Sequence, residues 1–251
     1  MSSPEYIEPD WPLRGRVGAL VTTRIGGVSQ QPWASLNLGS NTQDDPAYVA
    51  KNREIVVSAL GSELKPHWLK QVHGTRVVEA SDKAEGPIEA DACYSDSPGR
   101  ACAVLTADCL PVFLGNEDAT EVAAVHAGWR GLAAGVIGEA LKRFDSAPAD
   151  IHAWLGPAIS ADHYEVGEDV IKAFADSPHF VSLPVAQAFS QKPGGKWTAD
   201  LYELARMQLR SLGVRSASGG DRCTYREKDY FYSFRRDGET GRFASLIWLK
   251  K

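Results

Sequence analysis

The chain has 251 residues, 43% apolar and 24% charged, with 23 Gly and 14 Pro. That length and composition exclude disorder, a collagen-like repeat and a coiled coil, and they supply enough chain to bury a sizeable core. Lys and Arg total 27 against 32 Asp and Glu, a net charge of -5, so there is no electrostatic footprint for a nucleic-acid backbone or an anionic membrane, and small molecules are the expected partners.

Elements follow from periodicity and punctuation. Strands are predicted over 17–23, 67–72, 76–80, 101–106, 121–126, 151–155 and 243–249. Asp45 followed by Pro46 reads as a cap and a first-turn proline, opening a helix that runs to about Leu60 before Gly61 stops it. A second helix is predicted over 131–144. A third is capped by Thr198, carries Leu201, Leu204, Ala205 and Leu212 on one face, and ends at Gly213. The most apolar segment, 101–115, is interrupted by Asp108 and Pro111; it is too short to cross a bilayer, and the proline argues against a continued central strand. No linker or repeat divides 1–251, so one domain is expected, with its core over about 17–249. Its strand-heavy first half favours α+β with mixed sheets over a doubly wound parallel sheet. The first ten residues lack the basic and apolar stretches of an export signal. Four cysteines, Cys93, Cys102, Cys109 and Cys223, are too sparse for a disulfide framework, and reduced thiols in the cytoplasm are expected.

Dinucleotide and phosphate loops, His-Glu-x-x-His, Gly-x-Ser-x-Gly and Cys-x-x-Cys are absent, which removes support for the common nucleotide-loop, protease and hydrolase mechanisms. Three segments remain, each placing a metal-ligand residue type at a strand end: Lys70 to Thr75 with His73, Thr106 to Pro111 with Asp108 and Cys109, and Val125 to Gly131 with His126 and Arg130. Gln71 shares a strand face with His73, and Gly128 lets the backbone turn from the His126 strand into a helix whose first amides stand beside Arg130. Taken singly, each has an ordinary reading, a solvated histidine or a small buried cysteine. Their coincidence at three strand ends is the unusual feature.

These segments, His-Gly-Thr, Thr-Ala-Asp-Cys-Leu-Pro and His-Ala-Gly-Trp-Arg-Gly in that order, resemble the signature of the YfiH-like laccase-domain family. Further segments agree: Thr23-Arg24-x-Gly26-Gly27-Val28-Ser29, Ser35 to Gly39, Asp91-Ala92, Leu155 to Ile159, Ser233-x-Arg235-Arg236-Asp237-Gly238 and Gly241-Arg242. The resemblance covers about 17–249. It implies a four-layer α/β/β/α fold like the catalytic domain of cytotoxic necrotizing factor toxins, and a zinc ion bound by His73, Cys109 and His126. Family members are described as polyphenol oxidases, as purine nucleoside phosphorylases with adenosine deaminase activity, and as peptidoglycan editing factors. The same resemblance implies a cleft lined by Arg24, Asn37, Gln71, Asp91, Asp108, Arg130 and Arg235. In that cleft Arg24 and Arg130 would bind anions, Asn37 and Gln71 would orient substrate, and Asp91 and Asp108 would move protons or hold histidine tautomers.

Ligand chemistry supports zinc independently, because two imidazoles and a thiolate with one position left for water describe a catalytic zinc site. Copper is the less favoured cofactor. The chain holds only six histidines, too few for a multicopper centre, and Met1 and Met207 are its only thioethers. The leading expectation is a zinc enzyme that phosphorolyses purine nucleosides and deaminates adenosine, with Cys109, His126 and Asp108 as catalytic residues. The alternatives are an amidohydrolase editing peptidoglycan precursors, with Cys109 as a thiolate nucleophile and His126 as its base, a copper polyphenol oxidase, and a metal-stabilised interaction domain without turnover.

Overall fold

The computed structural model describes residues 3–61, 64–80, 86 and 88–250. Two mixed sheets carry the architecture. The five-stranded sheet runs Tyr6–Ile7, Val17–Thr22, Phe243–Leu249, Arg100–Thr106, Lys65–His67, with only its last pair parallel. In the six-stranded sheet the order is Ser216–Gly219, Ile151–Leu155, Leu110–Asn116, Val122–Ala127, Ala92–Ser95, Val77–Glu79, with a parallel pair at each edge.

Residue parity along the strands sorts the core into three clusters. Cys102 and Val104 of one sheet meet Phe113, Val122 and Ala124 of the other. On the outer face of the five-stranded sheet, Ala101, Ala103 and Leu246 pack on Leu36, Leu38 and Val56. The outer face of the six-stranded sheet, with Val112, Leu114, Ala123 and Val125, packs on Leu132, Ile137 and Leu204. The elements therefore form a single mixed α/β domain with helices outside both sheets.

The Pro46–Leu60 helix forms as its punctuation predicts: Asp45 Oδ1 accepts from Ala47 N–H at 2.8 Å, and Gly61 takes φ 100°. Two other expectations are corrected. The helix predicted over 131–144 is two short helices, Trp129–Ala133 and Val136–Leu141, broken at Gly135 (φ 89°), where an added Cβ would stand 2.6 Å from the His179 ring. Packing of His179 thus overrides a helical sequence pattern. The third helix, Leu201–Ser211, is capped by Asp200, whose Oδ1 accepts from Glu203 N–H at 3.0 Å, while Thr198 belongs to the strand Trp197–Ala199.

Besides the expected strand at 101–106, the 101–115 segment starts a second, central strand that the proline had argued against, and the two belong to different sheets. Arg100–Thr106 ends in the first sheet and Leu110–Asn116 begins in the second. Pro111, second in its strand, is tolerated at this start even though the strand is central. The turn at 107–109 therefore crosses between the sheets, and this crossing places Cys109.

A buried carboxylate ties down the far end of the Val122–Ala127 strand. Glu121, 7% exposed, accepts from Tyr94 O–H (2.8 Å), Asp145 N–H (2.8 Å), and Ser146 N–H (3.2 Å) and O–H (2.6 Å). Burial alone would raise its pKa, but these donors hold it below the usual carboxylate range. Glu121→Gln is expected to lower unfolding free energy by about 2–3 kcal/mol at neutral pH. Because the folded pKa is depressed, this stabilisation is present above the unfolded carboxylate pKa and fades as pH falls through the folded value. Urea titrations of both proteins across the acid range should show the gap closing.

Candidate metal centre and its cavity

Strand register assembles the site. Ala127 pairs with Leu110 and Val125 with Ala92, so Asp91, Cys109 and His126 gather where three neighbouring strands end or begin. Parity puts all three on the face turned toward the other sheet.

Asp91 is the organising residue and is fully buried. Its Oδ1 lies 2.8 Å from His126 Nδ1 and accepts from His73 N–H at 2.9 Å; Oδ2 accepts from Gly74 N–H at 2.7 Å and Val72 N–H at 3.2 Å. One carboxylate thus pins the 72–74 turn and fixes the His126 tautomer, leaving Nε2 as the ligand atom. Burial acts to raise the Asp91 pKa, but His126 and the backbone amides outweigh it and bring it down.

His73 is exposed, with φ 61°, and its ring stands edge-on to His126 at 4.8 Å between centroids. Its Nε2 lies 3.8 Å from Cys109 Sγ, and the donor atoms of His73, Cys109 and His126 all fall within 4.8 Å of one another. Among the described residues this is the one such group of three, and its residue types could hold a metal ion. Burial would raise the Cys109 thiol, yet His126 and His73 bring it down to about 6; burial would lower His126, yet Cys109 and Asp91 lift it to about 9. Without metal, the two form a thiolate–imidazolium pair.

Gly128 has a steric role. A Cβ there would stand 2.9 Å from His73 Cδ2, 3.1 Å from Cys109 Sγ and 3.5 Å from His126 Nε2, so the donors converge over a cradle that only a hydrogen leaves open. Gly128→Ala is expected to weaken metal retention about 10–100-fold, as for disturbed support of a ligand, with an unchanged circular-dichroism spectrum. Metal analysis after gel filtration measures it.

Asp108 (φ 93°) precedes Cys109 and has both oxygens engaged: Thr224 O–H donates at 2.6 Å and Arg235 N–H at 2.7 Å. It anchors the inter-sheet turn to the C-terminal segment. Gln71 lines the site cavity, but its amide bridges both backbone groups of Leu105, at 2.8 and 2.7 Å. Asn37 is buried under the cavity rim, where it accepts from Gly39 N–H (3.0 Å) and Arg242 N–H (2.8 Å). None of the three arginines singled out in the sequence walls the cavity, but Arg130 and Arg235 stand near enough to the donors that Tyr164 feels their charges together with those of Cys109 and Asp108. Arg24 donates to Ala34 and Lys228 carbonyls and lines a separate open depression. Arg130 is exposed over the Trp129 ring, and Arg235 donates to Glu165 O at 2.7 Å beside the Tyr164 ring.

The cavity that opens on the donors has a volume of about 340 Å³ and is walled by Leu69, Leu105, Thr106, Phe234, Arg242 and the 39–41 loop. Sequence reasoning gave no role to Phe234 or Arg242. Gly241-Arg242 stood among the family-like segments, which was a signal, whereas Phe234 is marked only by 59% exposure of a large apolar side chain.

A mixed α/β domain with a His-Cys-His group that could hold a metal ion at the end of a two-sheet stack fits the laccase-like domain class. A family model described as multi-copper polyphenol oxidoreductase laccase matches residues 18–250, and the chain belongs to that family. It is 50% identical over 245 residues to purine nucleoside phosphorylase YfiH of Shigella flexneri, spanning 98% of this chain and 99% of that protein. It is 49% identical over 245 residues to the protein of the same name from Escherichia coli K12, at the same coverage. The crystal structure of Neisseria meningitidis protein NMB0706, of the DUF152 family model, matches with a TM-score of 0.91 at 47% identity, covering all of both chains. No helix among the described residues is long and apolar enough to cross a membrane.

Proposed function

We propose that the chain is a cytoplasmic, zinc-dependent enzyme that phosphorolyses purine nucleosides and deaminates adenosine. The observation that carries the reading is the convergence of His73, Cys109 and His126 on a half-enclosed cavity whose other walls combine apolar side chains, polar groups such as Gln71 and Thr106, and the cation of Arg242. The names of the half-identical relatives supply the substrate class. The donor set fits zinc, and it argues against a multicopper centre: among the described residues no other metal-ligand group exists, and Met207 is buried in the helical core. Zinc bound there would supply Lewis acidity toward a nucleophile or a substrate atom.

The protein's own groups do the rest. Asp91 orients His126; Leu69, Leu105 and Phe234 give a base an apolar surface; and His73, the exposed donor, faces the entrance. In phosphorolysis a phosphate oxygen bonds to C1′ while the glycosidic C1′–N bond breaks with its electron pair to the base, which takes up a proton from phosphate or solvent. Asp108 holds the Cys109 turn through Thr224 and the Arg235 amide, and the remaining lone pair on each of its oxygens leaves it able to take up a proton.

The test is metal-quantified protein incubated separately with adenosine plus phosphate, with a peptidoglycan nucleotide precursor and with a phenolic dye. Release of adenine and ribose 1-phosphate, together with inosine, supports the reading. Turnover of only the second or third substrate, or full nucleoside turnover in metal-free protein, overturns it.

A further inference from the structure

One cation in the cavity has directed donors that neither the metal ligands nor the fold engages, although the nearby Cys109 and Asp108 charges favour its presence there. Phe243 pairs with Thr106 in the five-stranded sheet, so Arg242, one residue earlier, lies level with Ala107 at the start of the Cys109 turn. Its backbone N–H donates to Asn37 Oδ1 at 2.8 Å, and Nη1 donates to Thr240 O at 2.8 Å and Gly241 O at 2.9 Å. These bonds fix the stem and one amino group. Among the described residues, Nε and Nη2 have no hydrogen-bond partner and no carboxylate pairs with the side chain, although it is half-buried and lines the cavity.

A half-buried guanidinium whose Nε and Nη2 are left to water is poised to exchange that water for the paired oxygens of an anion. The same wall carries a second unanswered group, Thr106 Oγ1, buried and without a partner. The Phe234 ring, with the Arg242 guanidinium carbon 5.9 Å from its centre, flanks the position. Arg130, the arginine beside His126 in sequence, does not line this cavity.

We propose that Arg242 is the oxyanion-binding residue of the site, its Nε–Nη2 edge taking two oxygens of inorganic phosphate in a fork. The proposal rests on the phosphorolysis reading for the identity of the anion, while the anion site itself stands on the geometry of Arg242. It makes Arg242 a substrate-binding residue and sets phosphate against the metal donors across the cavity, with the nucleoside between the Phe234 side and the entrance.

The experiment uses metal-loaded wild type, Arg242→Gln and Arg242→Lys, with two readouts: phosphate KM at saturating nucleoside, and calorimetric titration with inorganic phosphate alone at fixed ionic strength. Arg242→Gln is expected to raise phosphate KM by at least about tenfold and to weaken direct binding equally, with nucleoside KM and metal content within about twofold of wild type. Arg242→Lys should recover part of the loss, as a point charge without the fork. If the Gln variant does not fold, the Lys variant carries the test, with a severalfold rise expected. An unchanged phosphate KM and titration in the folded variants overturns the proposal, as does loss of phosphate binding in Arg130→Ala with Arg242→Gln unaffected. If wild type cleaves no nucleoside, the functional reading falls, and the calorimetry alone decides the anion site. Binding that vanishes in Arg242→Gln supports it; binding that persists there, or is absent from wild type, overturns it.

Discussion

Cys109→Ala is expected to abolish metal retention and turnover together. Removing the thiolate leaves two imidazoles, one of them exposed. Losing only an outer hydrogen-bond partner of a ligand weakens metal binding about 10–100-fold, so losing the one anionic donor should exceed about 100-fold. Elemental analysis of gel-filtered protein should therefore read near zero metal, and nucleoside cleavage should fall to background while the circular-dichroism spectrum remains that of the folded chain. Lost activity with full metal content would instead make Cys109 a nucleophile with His126 as its base. The metal-stripped wild type gives a linked pH test. Cys109 is depressed to about 6 and His126 raised to about 9, so the ion pair exists between those values. Its stabilisation is lost as pH falls through the first or rises through the second. Alkylation of Cys109 should accordingly show an inflection near 6.

Asp91→Asn should be the most damaging isosteric change in the chain. The carboxylate receives His126 Nδ1 and three backbone N–H groups. An asparagine keeps one acceptor oxygen and turns its amide donors toward other donors, leaving buried groups unpaired. The expected loss is about 3–5 kcal/mol of unfolding free energy, the range for breaking a buried charged pair, together with about 10–100-fold weaker metal binding as the His126 tautomer is released. Because the folded Asp91 pKa is depressed, its contribution is present above the unfolded carboxylate pKa and disappears as pH falls through the folded one. Wild type and variant should thus converge in acid. Denaturant titrations at neutral and acidic pH, with metal analysis, measure both effects. An Asn variant with wild-type stability and metal content would remove Asp91 from the organising role.

Much of this was legible in the sequence because the signals are local. Asp45 and Pro46 cap a helix by contacts within one turn, and the alternating apolar runs at 17–23, 151–155 and 243–249 correspond to strands at nearly those bounds. The three donors were marked by neighbouring glycine or proline in the sequence, but it was the resemblance to the family that singled them out, and in the structure His73 lies in a turn while Cys109 and His126 lie at strand ends. Gly135 shows the limit, since helical spacing across 131–144 is interrupted by the ring of His179, a contact made some forty residues away.

By itself, then, the sequence determined an α+β chain with mixed sheets, the capped first helix, the family and the residues His73, Cys109 and His126. Tertiary structure alone decided which charged groups surround them. Arg24, Arg130 and Arg235 carry the same side chain as Arg242, yet the first three spend their contacts on backbone carbonyls or ring faces outside the cavity, and only Arg242 lines it. The reason is physical: which wall a side chain occupies is set by how distant segments pair into two sheets and by the crossing of 107–109 between them, contacts between residues far apart in the chain.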